Sequence, residues 1–157
     1  MPSCAYTSGK GGVVLMTIKV ENLQAIERAV KQRIQNMTPV FQDALKLENE
    51  RIKTRTQSGL NGDGQPFANN KYSKKWAKRR ENKGLQTNYV DLTFSGAMFN
   101  AMKVSFGSTE TTTTGVISFT GKKEAKKAIE NEMYGRYFFN LTEEQIEIIK
   151  NKLRNVK

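Results

Sequence analysis

Between Leu23 and Ile52 the apolar side chains recur at Leu23, Ile26, Val30, Ile34, Met37, Phe41, Leu45 and Ile52, in steps of three and four with one of seven. Residues three and four apart share a face of a 3.6-residue turn, so this spacing lays a single stripe along an amphipathic helix. A stripe this long needs an equally long cover, which a later part of the chain or another chain must supply. Thr38-Pro39 divides it. Proline is tolerated in the first turn of a helix, where a preceding Thr can cap the free N–H groups. The sequence therefore predicts helices near 21–36 and 39–57, collinear with a kink or folded as a hairpin.

Residues 1–15 show no periodicity and hold three of the twelve glycines. They read as a flexible N-terminal arm, with a single domain over 16–157. Three Gly, one Pro and two turn formers between Ser58 and Pro66 stop regular structure there. Ser73 is placed to cap a short helix that runs to about Arg80. Tyr89 to Phe94 reads as extended, and Ser95 as the cap of a helical turn through Ala97, Met98 and Ala101. The β-rich runs Lys103–Phe106 and Gly115–Thr120 pair as a hairpin around a Thr-rich loop. Lys122 to Met133 is a polar helix with Ala125, Ala128 and Ile129 on one side. Thr142 at the N-cap and Gln145 at N3 form a capping box for a last helix with Ile146, Ile149 and Leu153 on one face. The expected fold class is α+β: N-terminal amphipathic helices, a small antiparallel hairpin or sheet, and a C-terminal helix.

Charge and composition narrow the function. The 157 residues carry 26 Lys and Arg against 15 Asp and Glu, a formal charge of +11, with no histidine and one cysteine. Without histidine, Ser-His-Asp, Cys-His and His-zinc chemistries are excluded. Cys4 alone makes neither an intrachain disulfide nor a zinc cluster, which suits a reducing compartment. No stretch approaches the ~20 apolar residues needed to cross a bilayer, and no membrane contact is expected. Apolar residues with glycine, tyrosine excluded, make up roughly 41% of the chain, below the usual ~45–50%. The core should therefore be thin.

Two motifs resemble ligand loops without completing them. Ser8-Gly9-Lys10-Gly11-Gly12-Val13 opens like a deviant phosphate-binding loop, but Val14, Leu15 and Met16 stand where a Gly, a second Lys and a Ser or Thr are needed. Asn61-Gly62-Asp63-Gly64 lacks the further oxygen ligands of a calcium loop, since no Glu occurs between Arg51 and Arg80, and reads as a tight turn. The only Asp residues are Asp43, Asp63 and Asp91, and the Glu residues lie mostly in Lys- and Arg-rich helices, where solvated pairing is the default. No enzymatic activity, cofactor or metal is expected.

The positive charge is uneven. Residues 1–80 carry 15 basic and 6 acidic groups, and 81–157 carry 11 and 9. Lys71, Lys74, Lys75, Lys78, Arg79, Arg80 and Lys83, interleaved with Tyr72 and Trp76, are candidate contacts for DNA phosphates or an acidic partner. At helical spacing Lys71, Lys75 and Lys78 share one side, and Tyr72, Trp76 and Arg79-Arg80 another, which could equally anchor the helix on the core. Trp76, Tyr134, Arg136, Tyr137, Phe138 and Phe139 are candidates for an oligomer interface. Core packing beneath the last helix is the alternative for the aromatic cluster.

The order of four segments carries a resemblance. Gly64-Gln65-Pro66-Phe67 comes first, then Tyr72-Ser73-Lys74-Lys75-Trp76-Ala77-Lys78-Arg79-Arg80, then Val90-Asp91-Leu92-Thr93-Phe94-Ser95-Gly96-Ala97-Met98, and later Gly135-Arg136-Tyr137-Phe138-Phe139-Asn140-Leu141-Thr142-Glu143-Glu144. Over about residues 16–155 this is similar to the virion morphogenesis, or tail-completion, family of long-tailed bacteriophages such as Mu. That family has a Gly-x-Pro-aromatic loop, a Ser-led helix ending in two basic residues, an Asp-Thr-Gly segment, and an Arg-Pro-Phe stretch before the final helix. Here the Asp-Thr-Gly run is spread over Asp91–Gly96, Tyr137 replaces the proline, and the family's His-x-x-Gly element is missing from 126–133.

The resemblance implies a structural protein of the phage neck, assembled in the host cytoplasm and resident in the virion. Such proteins form rings, commonly of six or twelve copies, that complete the tail or join it to the head. The implied partners are copies of itself, connector or adaptor proteins, tail tube or terminator proteins, and transiently the packaged DNA. The arm and the 107–115 loop would grip neighbouring copies. The competing reading is a free-standing basic nucleic-acid-binding protein.

Overall fold

The computed structural model describes residues 23–156. The predicted arm and its Gly-rich Ser8–Val13 motif lie outside them. The fold is α+β, in the order α1 (Leu23–Gln57), α2 (Lys74–Glu81), α3 (Ala97–Asn100), β1 (Met102–Ser108), β2 (Thr113–Phe119), α4 (Lys122–Met133) and α5 (Glu143–Arg154).

The two expected N-terminal helices are one. Pro39 sits inside α1, where it can donate no backbone hydrogen bond. Beside it, the Thr38 hydroxyl bonds the Ile34 carbonyl at 2.8 Å and meets the Thr113 hydroxyl, also at 2.8 Å. The Thr that was expected to start a helix instead ties a continuous one to the strand beside it.

β1 and β2 form a two-stranded antiparallel sheet, paired from Met102 with Phe119 to Ser108 with Thr113. The expected pairing of 103–106 with 115–120 holds. The connecting loop is shorter than expected, residues 109–112. Its tip is held by a salt bridge between Glu110 and Lys31 of α1, at 2.6 Å. The sheet can lie this close to α1 because of Gly115: a Cβ there would fall 2.4 Å from Leu45 Cδ2 and 3.0 Å from Phe41 Cε1.

The stripe on α1 is covered along its inner half only. Ala44, Leu45 and Ile52 are buried, whereas Leu23, Ile26 and Val30 are exposed. Ile52 joins a core built from Phe67, Val90, Met98, Phe99, Met102, Ala128 and Phe138. Glu48, Asn49 and Thr56 are buried on the same helix, and Arg51 bonds Glu48 Oε1 at 2.9 Å.

The C-terminal part closes the core. Glu132 Oε1 accepts from the backbone N–H groups of Phe138 and Phe139, both at 3.0 Å. Arg55 Nη2 donates to the Phe138 carbonyl at 2.9 Å and to the Asn140 carbonyl at 3.2 Å. The capping box at Thr142 and Gln145 is formed as expected. From there α5 returns against α1 with Ile149 buried and Ile146 exposed.

Two expectations need correction. Ile129 lies on the outer side of α4, and Ala128 alone of that helix is fully buried; with so few apolar residues, the helix packs through its smallest. Ser95 stands one residue before the N-cap of α3, accepting from Ala97 N at 3.4 Å; Gly96 takes the cap position with φ 74°, a left-handed conformation that costs glycine little.

Candidate functional site

Among the described residues, the segment from Lys71 to Thr93 holds the densest cluster of side-chain hydrogen bonds. Ser73 caps α2 as expected, accepting from Trp76 N. The helix then directs Arg80 inward, where its side chain is 2% exposed. Arg80 Nε donates to the Gln86 carbonyl at 2.7 Å, Nη1 to the Thr93 carbonyl, and Nη2 to Asp91 Oδ2 at 2.7 Å. Its guanidinium lies over the Tyr72 ring, 4.4 Å from the centroid.

Asp91 is equally engaged. Oδ1 accepts from the Tyr72 hydroxyl and from Thr93 N, both at 2.8 Å; Oδ2 accepts from Gln86 Nε2 as well as Arg80, both at 2.7 Å. The carboxylate gathers donors from both ends of the segment, so Tyr89–Phe94 wraps around it as a loop rather than extending as a strand. Leu92 is held at φ 51°, an uncommon conformation for a side chain of its size, flanked by the Thr93 bonds to Asp91. A buried charge is tolerable only when paired and hydrogen-bonded, and both conditions are met. With its oxygens and nitrogens committed to hydrogen bonds within the fold, this pair locks the segment together.

Tyr72 reports on the lock. Burial, chiefly, pushes its hydroxyl up to about 12 from the ordinary 10.0, and the neighbouring Asp91 carboxylate adds to the rise. The native state thus holds this proton more tightly than the unfolded state does. The resulting stability is intact below pH 10 and is lost as pH climbs from about 10 through 12. We expect Tyr72→Phe to cost about 1–2 kcal/mol at neutral pH through its lost hydrogen bonds, yet to show a shallower decline in alkali. Urea denaturation at a series of pH values checks this; parallel profiles for the two proteins would contradict it.

Of the seven candidate basic contacts, six are exposed: Lys71, Lys74, Lys75, Lys78, Arg79 and Lys83. Arg80 is the correction. It is buried against Asp91 and unavailable to an external anion, because α2 turns Arg80 toward Asp91 and the Tyr72 ring. Trp76 is 44% exposed, packs edge-on to Phe94 at 5.3 Å, and carries Arg79 at 4.9 Å from its ring.

The candidate interface set divides. Trp76, Tyr134 and Tyr137 are exposed, whereas Phe138 is completely buried and Phe139 half-buried against Phe119 and Phe138. Phe138 is therefore core, since its backbone is tied on both sides by Glu132 and Arg55. Arg136 is half-buried and bonds Asn131 at 3.2 Å. Sequence reasoning missed Met133, which at 81% exposure joins Ile129, Tyr134 and Tyr137 as exposed apolar side chains along α4 and just after it. It also missed Asp91; the signal was the Asp of the Asp-Thr-Gly resemblance, unused as a partner for Arg80. An open groove of about 860 Å³, lined by Tyr72, Trp76, Phe94, Lys127, Asn131 and Arg136 among others, separates α2 from α4.

The Asn61–Gly64 segment is a tight turn: the Asn61 side-chain oxygen accepts from Asp63 N at 3.0 Å and Gln65 N at 2.9 Å. Among the described residues no helix is long and apolar enough to cross a membrane. Comparison with family models, with curated proteins and with solved structures finds no match for this chain.

Proposed function

We propose that this chain is a structural subunit of the neck of a tailed bacteriophage, one of the copies of a ring that completes the tail or joins it to the head. One observation carries the reading: the four segments behind the family resemblance supply the framework of the fold. Phe67 of the Gly-x-Pro-Phe loop is in the core, and Ser73 caps the helix whose last basic residue, Arg80, locks onto Asp91 of the third segment. Phe138 of the fourth closes the core.

The exposed apolar surface is consistent with assembly. Leu23, Ile26 and Val30 on α1, and Met133, Tyr134 and Tyr137 at the end of α4 and just after it, form two different sets. A ring built by head-to-tail contacts needs two unlike surfaces per subunit, one facing each neighbour. On this reading the protein acts by assembly, without catalysis or cofactor, in six or twelve copies between connector and tail proteins, and it resides in the virion.

Negative-stain electron microscopy of lysates from a phage lacking this gene tests the proposal. DNA-filled heads lying apart from tails are expected, with whole particles restored by a complementing copy. Joined particles in the absence of the gene would overturn it.

A further inference from the structure

Most helices of this protein neutralise part of their own charge. Lys46 pairs with Asp43, Arg51 with Glu48, Lys53 with Glu50, Lys127 with Glu124 and Lys150 with Glu147, each three residues apart. The segment around α2 does not. Among the described residues, none of Lys71, Lys74, Lys75, Lys78, Arg79 and Lys83 has a carboxylate partner, and Glu81, the single acid between them, has no cation.

Helical geometry gathers this charge. At about 100° per residue, Lys74, Lys75, Lys78 and Arg79 fall within an arc of roughly 140°, and Arg80 points roughly opposite its centre. The buried Arg80–Asp91 pair therefore fixes the rotation of α2 about its axis and turns four cations to solvent together. Lys71 and Lys83 extend the row beyond both ends of the helix.

We infer that this arc binds the phosphodiester backbone of a nucleic acid duplex, without reading its bases. The residue types favour phosphate over a protein surface. Five of the six cations are lysines and no apolar side chain lies on the arc, whereas the centre of a protein interface is depleted in lysine and rich in aromatics. Backbone contacts need only positive charge set out along the strand. The nearby aromatics do not serve as a platform for unstacked bases, because Trp76 is engaged by the Phe94 edge and by the Arg79 guanidinium, while Phe94 carries Lys83 at 4.7 Å. Single strands bound by stacking are therefore the wrong partner.

This inference goes beyond the neck reading and rests on charge and geometry alone, so the two can fail separately. The test is fluorescence anisotropy of the full chain with a labelled mixed-sequence DNA duplex over a range of salt concentrations. Four to six phosphate contacts predict a log–log slope of about −4 to −5. Replacing Lys74, Lys75 and Lys78 together by Ala should reduce it by roughly 3, and replacing the same three by Arg should restore it. Lys126→Ala with Lys150→Ala, which removes two cations elsewhere, should leave it nearly unchanged.

Parallel titrations with duplex RNA, single-stranded DNA and polyglutamate separate the sources of anion. Binding to either duplex with the expected loss supports the inference, and the stronger of the two identifies the nucleic acid. A slope unchanged in the triple Ala variant would overturn it. So would a preference for polyglutamate, or for a single strand in a manner lost on Trp76→Ala. Unchanged thermal unfolding of the triple variant confirms that the arc, not the fold, has been altered.

Discussion

Replacing Arg80 by Ala is expected to destabilise the protein by about 3–5 kcal/mol, the range for breaking one side of a buried ion pair. The loss goes beyond one contact. The Asp91 carboxylate keeps its bonds from Tyr72, Gln86 and Thr93 but is left as a buried charge without a counter-charge, while the carbonyls of Gln86 and Thr93 lose their donor. Lysine is no remedy, because a single ammonium cannot reproduce the planar fork that serves three acceptors at once. Lys78→Ala, two positions earlier on the exposed arc, should shift stability by no more than about 0.5 kcal/mol. Urea denaturation of both variants gives the comparison, and similar midpoints would refute the lock. Removing Asp91 as well should cost less than the sum of the single losses, since the two side chains act as one unit.

Phe138→Ala is expected to be comparably severe, at about 3–5 kcal/mol. Phe138 has no exposed surface, and its ring stands edge-on to Phe99 at 6.3 Å and to Phe139 at 6.1 Å. Its backbone is held from α4 by Glu132 and from α1 by Arg55, so the surroundings cannot easily collapse into the vacated space. Against a typical total of about 5–15 kcal/mol, such a loss brings the chain near unfolding at physiological temperature. Tyr137→Ala removes the adjacent, exposed ring and should be close to neutral. Thermal unfolding of the pair decides the matter: equal midpoints would mean that Phe138 is not the keystone of the core.

Local chemistry was readable in the sequence, and tertiary choices were not. Ser73, the Thr142–Gln145 capping box and the 102–119 hairpin were legible because capping and strand pairing rest on residues close in the chain. Pro39 misled because the rule that proline ends a helix is local, while the Thr38 hydroxyl and the neighbouring strand that accompany it here are not. Tyr89–Phe94 looks extended by its β-prone residues, but Asp91 draws donors from positions 72, 80, 86 and 93 and bends the segment around itself.

Within the candidate site, the division of the basic residues was only half visible. Helical phase put Arg80 on the side of Tyr72 and Trp76, which was reason enough to consider it an anchor. Composition made it one more cation in a basic run, and nothing but a partner at Asp91 distinguishes a buried arginine from an exposed one. The same ambiguity attended Tyr134, Tyr137 and Phe138, three aromatics within five positions of which only the last is interior.

The bonds that Arg55 makes to the far end of the chain also bear on the order in which the molecule is made. Arg80 and Asp91 are 11 residues apart, whereas Arg55 and Phe138 are separated by 83. Closing the longer loop costs about 2 kcal/mol more in chain entropy, so the lock can form locally while the joint at Arg55 waits for distant residues. A ribosome releases the N-terminal side first, and the inner face of α1 then gains its cover in stages, from Phe67 and Val90, from the hairpin and from Phe138. For most of its synthesis the nascent chain carries an incompletely covered apolar helix face, and the segment around Phe138, with α5 behind it, is the late part of the seal.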